Sequence, residues 1–134
     1  MTALAPLLQG YFTDRLAALQ ASPETVRSYR DTYRLLLTHL QATAGIAPSR
    51  LDLTDLNAPA ILGFLDHLET ERGNSIATRN LRLTAIHSLF RYAALRCPEH
   101  AHLIAQVLAI PSKRASHRIV NYLTRRETVA LLAD

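Results

Sequence analysis

The chain is short of several residue types, and each shortage narrows its class. It has a single cysteine, Cys97, so neither an internal disulfide nor a cysteine-based zinc site can form. It has only four glycines in 134 residues and no useful alternation of apolar and polar positions, which points away from sheet and towards an all-α class. No apolar run approaches the roughly 20 residues needed to cross a bilayer. Residues 1–5 carry no basic group, and Gln9 and Asp14 interrupt the apolar residues that follow, unlike a signal peptide. A cytoplasmic protein without membrane contact is expected. Lysine is almost missing: fourteen of the fifteen basic residues are arginine. Arginine pairs bidentately with phosphate or guanine, although GC-rich coding also raises arginine over lysine.

Hydrophobic residues make up 49% of the chain, enough to bury a core. The charge is unevenly spread. Residues 1–46 carry four arginines against three carboxylates, net +1; residues 47–71 carry Arg50 against five carboxylates, net −4; residues 72–134 are net +7. A basic block after an acidic one gives the domain a polarity.

The most informative stretch is 74–96, NSIATRNLRLTAIHSLFRYAALR. Ile76, Leu83, Ile86, Phe90 and Ala93 recur at helical spacing, and Leu81, Ala85, Leu89 and Tyr92 widen the stripe. A helix this apolar is expected at the centre of a bundle. Ser75 or Thr78 can cap it, and Thr78, Arg79, Asn80 and Arg82 add donors and charge where the helix dipole already favours an anion. Ahead of it, residues 4–19 read as one core helix on Leu7, Leu8, Tyr11, Phe12, Leu16 and Leu19. Ser22-Pro23-Glu24 starts a second, ended by Gly45. Its Arg27, Arg30 and Arg34 line one stripe, with Thr25 and Ser28 near the same end; Asp31 is placed to pair with Arg27. The usual explanation of such a stripe is a solvated face, and DNA contact is the functional alternative.

Asn57 caps a third helix on Ile61, Phe64, Leu65 and Leu68, whose Asp66, Glu69 and Glu71 are expected to face outward as a solvated acidic side. Gly73 makes a tight corner into the central helix, a helix–turn–helix-like arrangement. His100 and His102 lack a third ligand, so no metal site is expected. Leu103, Ile104, Val107, Leu108 and Ile110 close the bundle. The domains expected are a helical one over 1–110, a basic linker over 111–121 bearing Lys113 and Arg114, and over 122–134 the opening of a further domain, with a Thr124–Glu127 capping box.

SPETVRSYRDTYRLLLTHL, then LTDLNAPAILGFLDHLETERGNSIATRNLRLTAIHSLFRYAA, then the basic linker and YLTRRETVALL, resemble the N-terminal part of a tyrosine recombinase of the phage-integrase or Xer type. The resemblance implies an orthogonal four- to five-helix bundle, the SAM-like core-binding domain, that clamps one face of a recombination half-site. It implies double-stranded DNA and other recombinase protomers as partners, with no small-molecule cofactor. The DNA-facing residues it implies are Thr25, Arg27, Ser28, Arg30 and Arg34 from one helix, Thr78, Arg79 and Arg82 from the other, and Lys113 and Arg114 along the backbone. Leu81 and Ala85 are candidates for contact with a thymine methyl. The family's nucleophilic tyrosine and its assisting arginines, histidines and lysine belong to a catalytic domain beyond Asp134, so no catalytic residue is assigned here. A stand-alone helix–turn–helix regulator and a helical protein-interaction module with merely solvated arginines are the rival readings.

Overall fold

The structure is a computed structural model that describes residues 2–114. The linker beyond Arg114 and the capping box at Thr124 lie outside the described residues. Five helices form the bundle. Helix α1 runs through Leu4–Gly10, a π-helical turn Tyr11–Arg15, and a last turn Leu16–Ala18. The other four are α2, Pro23–Ala44; α3, Ala58–Thr70; α4, Ile76–Arg96; and α5, Ala101–Leu108.

The boundaries follow local chemistry. Ser22 Oγ accepts the Thr25 N–H at 3.1 Å, Asn57 Oδ1 accepts that of Ala60 at 3.0 Å, and Ser75 Oγ accepts that of Thr78 at 3.1 Å. Each hydroxyl or amide oxygen satisfies a backbone donor that a helix start leaves free. Gly45 ends α2 at φ 70° and Gly73 turns the chain between α3 and α4 at φ 66°, left-handed conformations that glycine adopts without steric cost. The loop between α2 and α3 holds two 3₁₀ turns, Pro48–Arg50 and Leu53–Asp55. It also pins the chain start: Leu4 N–H donates to Leu51 C=O at 2.9 Å, and Leu53 N–H to Thr2 C=O at 2.8 Å.

Helix α4 is the hub. Leu83, Ala85, Ile86, Leu89, Phe90, Tyr92 and Ala93 are all buried, and the helix packs on α1, α2, α3 and α5. Leu81, expected in its apolar stripe, is 47% exposed instead, because it shares a side of the helix with the exposed Ala77 and Thr84, four residues before it and three after. The first helix is also not uniformly α-helical. Leu16 N–H donates to Tyr11 C=O, five residues back. That extra residue in the turn brings Leu16 to the core, where α-spacing from Tyr11 would have put Arg15. Tyr11, Phe12, Tyr33 and Tyr92 then meet edge to face, a favourable arrangement of ring quadrupoles. Gly10 leaves room for this cluster: a Cβ on it would stand 2.6 Å from the Tyr92 hydroxyl and would have to shift that side chain.

Burial carries the buried phenols far from their ordinary behaviour. The Tyr11 hydroxyl donates to Ser88 Oγ at 2.6 Å, and burial, which outweighs that bond, pushes its pKa up to about 12. Tyr33 donates to Ala85 C=O and is likewise raised well above its ordinary value, again by burial. Both are neutral structural groups.

Candidate nucleic-acid interface

The early turns of α2 and α4 meet, and arginine joins them. Arg82 Nη1 donates to Ser28 C=O at 3.1 Å and to Thr32 Oγ1 at 3.0 Å. Thr32 is fully buried and its hydroxyl donates to the same Ser28 carbonyl. Arg82 therefore fixes the second turn of α4 against the second and third turns of α2. Thr25 and Thr78 stand at the two caps. Their hydroxyls accept from Ser22 Oγ at 3.0 Å and Ser75 Oγ at 3.1 Å, and each keeps its own O–H to give.

Arg79 is placed differently from the expectation that it lies open at the helix start. It is only 5% exposed. Its Nε lies 3.5 Å from Glu69 Oε1, and its Nη1 donates to Asn80 Oδ1 at 3.1 Å and to Pro111 C=O at 3.5 Å. Lys113 Nζ reaches the same Glu69 oxygen at 2.8 Å. Glu69 thus turns inward to two cations, rather than outward as expected; only Asp66 and Glu71 remain on the exposed acidic side. A buried guanidinium needs such a partner, since desolvation without one costs several kcal/mol.

On α2, Arg27, Arg30 and Arg34 are all exposed. Arg34 Nη2 pairs with Asp31 Oδ1 at 2.8 Å, so Asp31 serves Arg34 and not Arg27. The Arg30 guanidinium stacks 5.2 Å from the centre of the Phe12 ring, which turns it towards α1. Arg27 makes no ion pair among the described residues. Ser28 and Arg30 are two residues apart, about 200° around a helix, so the arginine stripe and the α4-facing edge are different sides of α2. Arg27 lies between them. Leu81 is open to a partner, but Ala85 is fully buried and cannot meet a thymine methyl. Arg114 is exposed beside Lys113.

The sequence reading missed Thr32 and the inward turn of Glu69. It counted Asn80 among the donors at the helix start, but nothing in the spacing shows that its amide meets the backbone of Lys113. Among the described residues, no three His, Cys, Asp or Glu side chains converge on a possible metal position. His100 is engaged with Thr2 Oγ1 at 3.1 Å. No helix among them is long and apolar enough to cross a membrane.

The fold defines the class first: a small all-α bundle built around one central helix, with the early turns of two helices held together by polar side chains. Residues 8–96 match the family described as phage integrase, N-terminal SAM-like domain, and the chain belongs to that family. Two Sinorhizobium fredii (strain NGR234) proteins, y4rC and y4rD, each named putative integrase/recombinase, are similar to it. The first is 55% identical over 97% of this chain and 40% of its own length, the second 43% identical over 96% and 46%. The chain thus spans less than half the length of these relatives. No solved structure matches.

Proposed function

We propose that this bundle is the DNA-binding arm of a site-specific tyrosine recombinase, and that it grips one face of a duplex half-site during strand exchange or integration. The observation that carries the reading is the Arg82 lock between α2 and α4. It holds the early turns of the two helices together, and in this reading their N-termini, with positive ends, are offered to the phosphates. Arg27 and the hydroxyls of Thr25, Ser28 and Thr78 contact the backbone there, and Leu81 faces a base edge. Arg30 and Arg34 extend the cationic surface towards α1, and Lys113 and Arg114 extend it along the exit of the chain. Arg79 and Arg82 shape the surface more than they touch it. The partners are double-stranded DNA and further recombinase protomers bound to it.

Fluorescence anisotropy with a labelled duplex of arbitrary sequence tests this. Affinity is expected to fall linearly in log–log form as salt rises from about 50 to about 200 mM, because bound cations are released from the phosphates. A protein that ignores duplex DNA at the lower salt, or binds it with no salt dependence, is a helical interaction module instead.

A further inference from the structure

The structure assigns Asn80 a role beyond the interface itself: with Arg79 and Glu69, it forms a latch that holds the chain's exit segment against the start of α4 and so sets the path of Lys113 and Arg114. The consequence for DNA rests on the reading proposed above; the latch itself does not.

The argument starts from a segment with no helix or strand to hold it. After α5, Ile110 is buried and Pro111 to Arg114 have exposed side chains in irregular backbone. Such a stretch is ordinarily held by water alone. Here it is not. Asn80 Oδ1 accepts the Lys113 N–H at 2.9 Å, and Asn80 Nδ2 donates to the Lys113 C=O at 2.6 Å. One side-chain amide thus pairs with both backbone groups of one residue, as a neighbouring strand would. Arg79 Nη1 donates to Asn80 Oδ1 at 3.1 Å, which orients the amide, and reaches Pro111 C=O at 3.5 Å. Glu69 Oε1 then accepts from Lys113 Nζ at 2.8 Å and lies 3.5 Å from Arg79 Nε, a charge contact without a hydrogen bond.

The residue types are specific to the task. An amide is both donor and acceptor, so aspartate would keep the Lys113 N–H but face its carbonyl with a negative oxygen. The planar guanidinium of Arg79 spans Glu69, Asn80 and Pro111 at once, which a lysine ammonium would not. Three attachments within four residues leave the exit little freedom. They place it next to Arg79, in the first turn of the helix that carries Thr78, Leu81 and Arg82. Asn80 is thus a positioning residue. It touches no ligand in this proposal and acts through the direction it gives Lys113 and Arg114.

Native-state trypsin digestion reads the latch directly, with cleavage after Lys113 and Arg114 followed by mass spectrometry. The peptide must open to be cut, so cleavage reports local release. Asn80→Ala is expected to speed cleavage at these two sites about tenfold, the factor for losing two hydrogen bonds of ordinary net strength, with a melting temperature close to that of the wild type. Asn80→Asp is expected to fall between. Unchanged cleavage in Asn80→Ala, or a wild type cut there as fast as the urea-unfolded chain, overturns the proposal. Should Asn80→Ala not fold, Glu69→Gln carries the same test: several-fold faster cleavage supports the latch and no change removes it. In duplex binding, Asn80→Ala is expected to flatten the salt dependence as Lys113 and Arg114 lose their fixed path. If the wild type does not bind DNA, the proposed function fails while the digestion result still judges the latch. If it binds and Asn80→Ala binds identically, the latch plays no part in DNA contact.

Discussion

Arg79 and Arg82 in α4 and Arg27, Arg30 and Arg34 in α2 are the same residue type, set between the first turn and the middle of a long helix, yet they have opposite fates. The α4 pair is drawn into the protein, one towards Glu69 and Pro111, the other onto Ser28 and Thr32. The α2 set stays in solvent. The cause is position in the bundle. Helix α4 has neighbours on nearly every side, so its early side chains meet carbonyls and a carboxylate before they meet water. Helix α2 has an open face. Arginine content therefore says little about a binding surface until it is known which guanidiniums have already been used to build that surface.

Truncation should separate the two sets most sharply. Arg79→Ala leaves Glu69 facing only Lys113 and frees Pro111, and is expected to cost about 2–3 kcal/mol of stability, towards the lower end for breaking a largely buried pair. Arg82→Ala removes two hydrogen bonds between helices and is expected to cost about 1–2 kcal/mol. Urea denaturation measures both. Losses below half a kcal/mol would mean that the embedded guanidiniums are replaceable and that the contrast with α2 is only one of exposure.

Acidification makes the next-largest change and sharpens the contrast, because guanidiniums stay charged across the range while embedded imidazoles do not. Burial, with His67 beside it, holds His39 below its ordinary 6.5. Burial also lowers His87, which outweighs its bond with Val107 C=O, and Arg91 adds to the lowering. The native state thus binds fewer protons than the unfolded chain near pH 6.5. Stability should be complete above that pH and fall as pH drops through and below it. Burial would raise Asp52, but hydrogen bonds from Thr54 and from the Thr2 N–H hold it below 3.8. Its contribution is present above that value and is lost as pH falls further. Thermal melts at stepped pH should show the histidine slope first, and His39→Gln should flatten it. A profile level from pH 7.5 to 5.5 would contradict the burial of these rings.

Charge removal on the open face should do the reverse of Arg79→Ala. Arg27→Ala is expected to leave stability within about 0.5 kcal/mol while reducing the slope of log affinity against log salt by about one. If the slope stays and the fold weakens, the two arginine sets have been assigned the wrong way round.

Much of this was legible in the residues. The starts at Ser22, Asn57 and Ser75 and the stops at Gly45 and Gly73 carry their own chemistry, and the helices, α1 included, fall close to where spacing puts them. What the sequence hides is non-local. The π turn at Tyr11–Arg15 depends on aromatic partners in α2 and α4. Glu69 looks like a solvated acid until the corner at Gly73 folds Arg79 over it. Leu81 and Ala85 both fit one apolar stripe, but only packing tells which is covered. Arg27 to Asp31 and Asp31 to Arg34 are equally allowed pairings on a helix, and side-chain geometry selects the second.

That last pair supplies the smallest expected effect. Arg34 and Asp31 lie three residues apart on α2, and their side chains are 72% and 42% exposed. Solvent screens such a contact, so Asp31→Asn should alter stability by no more than a few tenths of a kcal/mol. Its effect on duplex binding should still be resolvable, because the change removes a negative charge from the arginine stripe and releases Arg34 from its partner. Affinity at low salt should rise a few-fold and the salt dependence should steepen, both converging on wild type as salt screens the surface. Such a gain without stabilisation marks a face whose charges act outward. If Asp31→Asn leaves duplex binding unchanged while Arg27→Ala weakens it, contact ends near the start of α2, and the side towards α1 with Arg30 and Arg34 lies off the DNA.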